Sequence, residues 1–392
     1  MTLTDLPTPT FGGGYDGQAW PRMGFFTDTS ICIGCKACEV ACKEWNLVPE
    51  RGPLELSGSS YDNTMALGAN PWRHVAFLAQ ARPVGVPDLD LAASAAAAAD
   101  RERELEERRR ELEELRRRAG LYPPGHFHSP VPDLEEVRAR DQQIFGGSAE
   151  LVGIDLRTEA QLALVERLGR YAADQPFGAE PGGGLRYHYD NDYFGWGDGL
   201  VLFCMLRHLE PARVVEVGSG FSSALMLDTA ERFLDKPPEL VFVEPNPERL
   251  QGLLRDGDRD RVTLLSQPVQ EVDRAVFDRL EPGDVLFIDS SHVTKVGSDV
   301  NLLLLEVVPR LRPGVHVHVH DIIWPFEYAR KWVYQGRAWN EAYLLRALLT
   351  GNARLLISLW SSQLAACHRE RVGAALPLWL RDPGTSMWLE TA

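Results

Sequence analysis

The sequence lacks long hydrophobic runs, a surplus of basic residues and an even spread of cysteines. No stretch of its 392 residues approaches the roughly 18 apolar residues of a membrane span. The N-terminal MTLTDLPTPT has no basic-then-apolar signal pattern. A formal net charge of −15 argues against nucleic-acid binding, which needs a basic patch. These absences predict a cytoplasmic globular chain of two or three domains, with no membrane span.

Cysteine is scarce, and four of the six cysteines fall in one short segment. The four, spaced C-x2-C-x2-C-x3-C, are Cys32, Cys35, Cys38 and Cys42. This is the bacterial ferredoxin spacing, in which soft thiolates hold iron and sulfide. A zinc knuckle or free thiols are the alternative for the same residues. Cys204 and Cys367 lie apart and are predicted to be ordinary buried thiols.

The flanks of the cysteine run resemble a known electron-transfer subunit. The similar stretches are Gly24–Ser30, Lys43–Asn46, Ser60–Thr64 and Trp72–Val75. Over residues 20–78 they resemble the iron–sulfur beta subunit of formate dehydrogenase-type oxidoreductases, which implies a [4Fe–4S] cluster. The chain departs from that family because no further cysteine sets follow and Lys43 replaces the usual proline. Either Cys42 closes a single cluster or the segment is an incomplete remnant.

Three segments are predicted: the cysteine segment, residues 1–88; a helical linker, residues 89–120; and a C-terminal domain, residues 121–392. Strong helix formers dominate this linker. Leucine or alanine recurs every seven residues, at Leu91, Ala98, Leu105 and Leu112. The apolar stripe is thin, so a solvated single helix and a dimerisation helix in a homo-oligomer are both open. Gly120 is predicted to end the helix.

Short apolar runs alternate with helical segments in the C-terminal domain. Strands are predicted at 213–217, 240–244, 261–265, 284–289, 315–321, 354–360 and 386–390. Helices are predicted at 156–173, 199–209, 221–234, 246–255, 269–280, 295–311 and 340–349. This alternation predicts an α/β fold with a doubly wound parallel sheet. The aromatic-rich stretch 186–198 is predicted to be a pocket wall or a loop packed by its aromatic residues.

A carboxylate and a glycine turn end the first of these strands. The turn consists of Gly218, Ser219 and Gly220. Its glycines let the backbone bend tightly and approach a ligand closely, and Ser222 or Ser223 is predicted to cap the next helix. The third glycine of the dinucleotide motif G-x-G-x-x-G is missing. Glu216 would repel a pyrophosphate and suits a cationic amino-acid head group.

Acidic residues also end the second, fourth and fifth strands, as Glu244, Asp289 and Asp321. Open α/β sheets bind ligands at the carboxyl ends of their strands, where Glu244 is placed to accept both ribose hydroxyls. With Glu216, this order resembles the class I S-adenosylmethionine (SAM)-dependent methyltransferases over residues 185–390. The resemblance implies a Rossmann-like seven-stranded sheet and a SAM site. The implied cofactor residues are Glu216, Gly218, Ser219, Gly220, Glu244 and Asp289.

Two short motifs resemble the metal-dependent O-methyltransferases, a subgroup that includes sugar-modifying enzymes of natural-product pathways. The motifs are Asp289-Ser-Ser-His292 and His320-Asp321-Ile322. This resemblance implies that Asp289 and Asp321 bind a divalent cation, usually magnesium, and that His292 is the general base. His320 replaces a carboxylate of some relatives. It is either a ligand that also admits zinc, manganese or iron or a residue that supports the ligands.

The predicted function is therefore SAM-dependent, metal-assisted O-methylation of a small hydroxylated acceptor, with a sugar or natural product as candidates. His316 and His318 are predicted to be sheet-packed or solvent-facing and not to be ligands. An iron–sulfur electron-transfer protein and a domain that binds SAM without turnover are the alternatives.

Overall fold

The computed structural model describes residues 91–146 and 150–392, of which 91–99 and 115–119 are described by their backbone. The cysteine segment, with the predicted cluster ligands Cys32, Cys35, Cys38 and Cys42, lies outside the described residues. The chain divides into two compact units, Met1–Arg108 and Arg109–Ala392. None of the described helices is long and apolar enough to cross a membrane.

The predicted linker helix is present as α1, Leu91–Ala119. Leu105 and Leu112 are both exposed, as a solvated helix requires. Dimerisation through this helix stays a prediction.

Seven strands form one sheet in the second unit, in the order β3-β2-β1-β4-β5-β7-β6. The strands are β1 Arg213–Val217, β2 Glu239–Val243, β3 Val262–Leu265, β4 Val285–Ile288, β5 His316–Val319, β6 Leu355–Trp360 and β7 Met387–Thr391. Every predicted strand is found, and the Rossmann-like α/β fold is confirmed. The expectation of a wholly parallel sheet was wrong, because β7 lies between β5 and β6 and pairs antiparallel with both.

Helices cover both faces of the sheet. They are α2 Leu134–Ala139, α3 Asp141–Phe145, α4 Thr158–Ala172, α5 Trp196–Leu209, α6 Phe221–Phe233, α7 Glu248–Leu253, α8 Ala275–Asp278, α9 Asp299–Leu302, α10 Arg330–Tyr334, α11 Glu341–Leu349, α12 Ser361–Cys367 and α13 Arg369–Ala375. The helix predicted at 269–280 is broken, because Val272 is extended between a 3-10 turn and α8. The helix predicted at 295–311 continues α9 as a π turn and then a 3-10 turn at Pro309, which cannot extend an α-helical ladder.

Alternate residues of each strand pack into two hydrophobic cores, one on each face of the sheet. Val214 and Phe287 belong to one core, whereas Val215 and Ile288 belong to the other. Successive side chains of a strand point to opposite faces. The continuous apolar runs in the sequence are therefore explained by burial on both sides.

The aromatic-rich stretch 186–198 is mainly a packed loop. Tyr187, Tyr189 and Phe194 are almost completely buried, so the packed-loop alternative is correct for these three residues. Helix α5 begins at Trp196, three residues before the predicted start. Its first turn brings Asp198 into the interior.

A buried ion cluster attaches this loop to α6. The Arg186 guanidinium donates to Asp228 at 2.6 Å, to Glu231 at 2.8 Å and to Asp258 at 2.5 and 2.7 Å. The side chains of Arg186, Asp228 and Asp258 are nearly inaccessible to water. Burial disfavours the charged guanidinium, but these carboxylates outweigh it and raise the pKa of Arg186.

Replacing Arg186 with methionine is expected to lower the free energy of unfolding by about 3–5 kcal/mol. The reason is that Asp228 and Asp258 would lose their buried countercharge. Urea unfolding followed by circular dichroism measures the change. Arg274→Met is the matched control, because Arg274 pairs with Glu306 where both side chains are about half exposed, and it should cost at most about 1 kcal/mol. Equal losses in the two variants would contradict the prediction.

Candidate active site

The turn after β1 is closely packed against the end of β4. Gly218 has a φ of +87°, and a Cβ added there would lie 1.7 Å from the carbonyl oxygen of Asp289. Only glycine fits both the left-handed conformation and the contact. Gly220 occupies the N-cap position of α6, and Ser223, at the N3 position, accepts from the Gly220 amide, so the predicted serine contribution to the cap is found at Ser223.

Both serines also hold Glu216, which is completely buried. Its carboxyl group accepts hydrogen bonds from the hydroxyls of Ser222, at 2.5 Å, and Ser223. The Ser223 hydroxyl also accepts from the Gly220 amide at 3.0 Å. Burial raises the pKa of Glu216 to about 8, although the serine hydroxyls oppose the shift. Glu216 therefore lies inside the turn, bonded to the start of α6.

A cleft of about 390 Å³ lies beside the turn and is lined by Gly218, Glu244 and Asp289. Glu244 is fixed there by two backbone amides, of Ser219 at 3.0 Å and Asn246 at 2.8 Å. Each of its oxygens accepts one of these bonds, and a carboxylate has about four acceptor sites. Glu244 thus retains acceptor capacity at the edge of the cleft.

The four residues of the predicted catalytic and metal-binding set come together at the ends of β4 and β5. The Nε2 atom of His292 lies 3.4 Å from Oδ1 of Asp289 and 3.5 Å from Oδ2 of Asp321. The Nδ1 atom of His320 lies 3.4 Å from Oδ1 of Asp289 and 3.6 Å from Oδ1 of Asp321. Asp289 also lines the cleft, so it connects the cleft to the cluster.

The two histidines and Asp289 of this cluster strongly influence one another's pKa. Burial disfavours the imidazolium form of both histidines, but the carboxylates prevail and raise the pKa of His292 to about 10 and that of His320 well above its usual value. Burial likewise opposes ionisation of Asp289, yet His320 and His292 hold its pKa well below the usual range. Protonated His292 and His320 beside an ionised Asp289 are therefore the favoured charge states of these three groups.

The part of the chain that contains the glycine turn and the cluster is similar to known proteins. A family model described as a methyltransferase domain matches residues 215–322, which run from β1 through Glu244, Asp289 and His292 to just past Asp321. The chain contains a class I SAM-dependent methyltransferase domain.

The methyltransferase has similarity to three further proteins. It is 37% identical over 167 residues to a protein of Archaeoglobus fulgidus named an uncharacterized protein, a match covering 41% of this chain and 74% of the archaeal one. It belongs to the same family as that protein. An Escherichia coli formate dehydrogenase iron–sulfur subunit is 46% identical over 50 residues, 13% of this chain and 16% of the subunit. A Bacillus cereus O-methyltransferase structure covers 65% of this chain and 97% of its own, at 13% identity and a TM-score of 0.32.

Two carboxylates that sequence reasoning missed support the histidines of the methyltransferase. Oε2 of Glu341 lies 2.9 Å from Nδ1 of His292, and Glu341 is completely buried. Oδ2 of Asp198 lies 3.3 Å from Nε2 of His320. Each histidine thus has one nitrogen facing the cluster and the other facing an outer carboxylate. The only sequence signal was an acid at the start of a predicted helix, for Glu341, and an acid in an aromatic stretch, for Asp198.

The backbone around His292 is held in an uncommon conformation. His292 and Asp321 have φ angles of +59° and +58°, which are uncommon for residues other than glycine and concentrate at functional sites. The amides of Asn340 and Glu341 donate to the His292 carbonyl at 3.0 and 3.2 Å. The Trp339 ring lies 4.5 Å from the His292 ring. The segment 339–341 therefore contacts both the backbone and the ring of His292.

His316, His318, Cys204 and Cys367 are not part of the cluster. His318 is buried and stacks on Phe287 at 3.7 Å, and His316 is half-buried, so the prediction of sheet packing is confirmed for His318. Cys204 is buried as predicted, whereas Cys367 is exposed. The prediction for Cys367 was wrong because it is the last residue of α12, at the surface.

Glu216 gives the methyltransferase a pH-dependent term in stability. Burial raises its pKa to about 8 in the folded state, above the ordinary value of 4.5, so the folded state binds more protons between these pH values. The stability from this group is complete below pH 4.5 and is lost as pH rises to 8. Wild type should therefore lose stability relative to Glu216→Gln across this range.

Chemical unfolding of wild type, Glu216→Gln and Glu248→Gln at a series of pH values measures this term. Glu248→Gln is the matched control, because Glu248 is exposed. Its stability should follow that of wild type at every pH. A constant difference between wild type and Glu216→Gln would show that Glu216 does not titrate on unfolding in this range.

Proposed function

We propose that this methyltransferase transfers the methyl group of SAM to a hydroxyl of a small acceptor at the Asp289–His292–His320–Asp321 cluster, assisted by a divalent cation. The observation that carries the proposal is the position of Asp289. It lines the cleft beside the glycine turn and also lies 3.4 Å from both histidines. A cofactor in the cleft and an acceptor at the cluster would therefore be neighbours.

We assign SAM to the cleft because the hydrogen-bonding groups of the cleft suit this cofactor. Glu244 has the spare acceptor capacity for two ribose hydroxyls, as acids at this strand end do in dinucleotide folds. The glycine turn offers close approach of the backbone. Glu216 is completely buried, so its proposed role is to hold the turn in place through the hydroxyls of Ser222 and Ser223.

The reaction balances with one base. The acceptor oxygen attacks the sulfonium methyl carbon, the carbon–sulfur bond breaks, and S-adenosylhomocysteine leaves. The hydroxyl proton passes to the deprotonated Nε2 of His292, whose other nitrogen is held by Glu341. A cation held by Asp289 and Asp321 would offset the Asp289 charge that helps to raise the pKa of His292. Positioning of the two reactants would provide much of the rate enhancement. A positioned base typically contributes on the order of a hundredfold to ten-thousandfold.

The side chains of the cluster are of the types that bind divalent cations. Carboxylates of Asp289 and Asp321 are hard oxygen ligands that suit magnesium, and His320 would extend the choice to zinc, manganese or iron. Outer carboxylates on histidine ligands are common in metal sites. Within residues 91–146 and 150–392, however, no three His, Cys, Asp or Glu side chains stand as a formed metal-binding group. A cation held there would lower the pKa of a bound hydroxyl.

Transfer of radiolabelled methyl from SAM to a panel of phenols, catechols and sugars tests the function, with SAM binding followed by calorimetry. We expect SAM binding, methyl ethers as products, and loss of transfer with EDTA that magnesium or manganese restores. Full transfer in EDTA would remove the cation from the proposal. Absence of SAM binding would contradict the whole proposal, and SAM binding without transfer to any acceptor would favour a binding-only domain.

A second proposal concerns the cysteine segment, on the basis of the 46% identity over 50 residues to the formate dehydrogenase subunit. The chain spans about a sixth of that subunit, so we do not infer an electron-transfer function from this similarity. We propose one [4Fe–4S] cluster bound by Cys32, Cys35, Cys38 and Cys42. Visible absorbance and iron content after anaerobic purification should fall in Cys35→Ser and be unchanged in Cys204→Ser. A colourless, iron-free wild type would refute it.

A further inference from the structure

A second cavity, of about 280 Å³, adjoins the segment that packs against His292. It is lined mainly by apolar and aromatic side chains, among them Pro132, Ile144, Phe145, Tyr328, Val333 and Trp339. Trp339 is also in ring contact with His292, at 4.5 Å. Asn340 lines the cavity and donates its amide to the His292 carbonyl. The cavity and the catalytic histidine therefore share one wall.

The outer wall of this cavity is fixed in place. Helices α2 and α3 contribute it, and Asp141 at the start of α3 joins them to α10. Its carboxylate accepts from the Tyr334 hydroxyl at 2.6 Å and pairs with Arg330 at 2.9 Å. The Phe145 and Tyr334 rings are also in edge contact. The helices that line this side of the cavity are thus attached to α10 by specific contacts.

Arg337 is the positive charge in this lining. Its guanidinium lies over the rings of both Trp332 and Trp339, at 4.9 and 4.8 Å from their centroids, and it forms no ion pair with any residue in the described part of the chain. Two aromatic faces hold such a cation in a defined position. The one acid of the lining, Glu327, already accepts from the Tyr343 hydroxyl at 2.5 Å and the Tyr328 amide at 3.0 Å.

We propose that this cavity binds the ring and carboxylate of the acceptor, with the acceptor hydroxyl at the cluster beside His292, and that the acceptor is a planar aromatic compound with a hydroxyl group and a carboxylate. The inference rests on the methyl-transfer function proposed above. The ring would pack on Trp339 and Tyr328, as expected for an apolar cavity with few polar groups. The carboxylate would pair with the Arg337 guanidinium, whose fork matches it in geometry. The carboxylate is unchanged by the reaction, and the hydroxyl becomes a methyl ether.

Calorimetry on the full chain, saturated with SAM, tests the inference with dihydroxybenzoate and its neutral amide, dihydroxybenzamide. We expect wild type to bind the benzoate about tenfold more tightly than the amide, because a charged hydrogen-bond pair contributes at least about 1.5 kcal/mol. Arg337→Met should abolish this preference. Arg170→Met, which removes an exposed arginine stacked on Tyr171 outside the cavity, should retain it. Trp339→Leu should weaken both ligands.

Each result has a separate meaning. SAM binding with equal affinity for benzoate and amide, or with binding of neither, would overturn the inference and leave methyl transfer standing. A preference that survives Arg337→Met would overturn the role of Arg337, and unchanged binding by Trp339→Leu would place the acceptor elsewhere. Loss of SAM binding in wild type would refute the proposed function, and the inference with it.

Discussion

Replacing Gly218 with alanine is expected to lower the free energy of unfolding by more than about 4 kcal/mol and to abolish SAM binding. Two costs combine at this position. The φ of +87° is unfavourable for alanine, and the added Cβ would lie 1.7 Å from the Asp289 carbonyl oxygen. That oxygen belongs to the backbone at the end of β4, whose neighbouring strands hold it on both sides. The turn would have to move away from Asp289 and open the cleft.

Gly283→Ala is the matched control for this variant. Gly283 has a φ of +90°, but nothing lies within 4 Å of the Cβ position. It should cost about 1–2 kcal/mol, the price of the left-handed conformation alone, and should bind SAM as wild type does. Urea unfolding and calorimetry measure both quantities. If the two variants lose the same stability, the contact between the turn and β4 contributes nothing beyond backbone strain.

Removal of the His292 imidazole is expected to lower kcat by on the order of a hundredfold to ten-thousandfold, with SAM affinity unchanged within about threefold. His292→Gln removes the base without deleting the side chain. Glu341→Gln, which leaves an amide oxygen near Nδ1 but removes the charge, should lower kcat by about ten- to a hundredfold, as for other residues that orient a functional histidine. Rates with a saturating acceptor from the panel measure both effects. His208→Gln is the control, a half-buried histidine near the end of α5.

The double variant separates positioning from a purely structural role. If Glu341 acts through His292, adding Glu341→Gln to His292→Gln should lower kcat no further, because residues that act as a unit are not additive. Additive losses would show that Glu341 acts through something else. A fall in SAM affinity or in melting temperature alone, with unchanged kcat, would assign Glu341 to the fold.

The strands and the acids at their ends could be predicted because both are local features. Val214, Val215 and Val217 form an apolar run whatever the rest of the chain does. Gly218 and Gly220 follow directly, and His292 stands three residues after Asp289. Parallel strands of one sheet end at the same edge, so these local patterns were enough to bring Asp289 and Asp321 to one place.

Other features could not be predicted because they depend on residues far apart in sequence. Glu341 lies 49 residues from His292, and their contact follows from where α11 returns to the sheet. The antiparallel direction of β7 could not be predicted from its own sequence, since a short apolar run is compatible with either strand direction. Whether Glu216 faced a ligand or the interior depended on Ser222 and Ser223, which the turn folds back over it.

The sequence by itself thus determined the sheet, the glycine turn and the acidic residues at the strand ends, because periodicity and turn chemistry act over a few residues. Only the tertiary structure decided which outer carboxylates hold the histidines and where Arg337 and its two tryptophans form a wall beside them. Those contacts join separate loops, and their distances are set by the packing of whole elements.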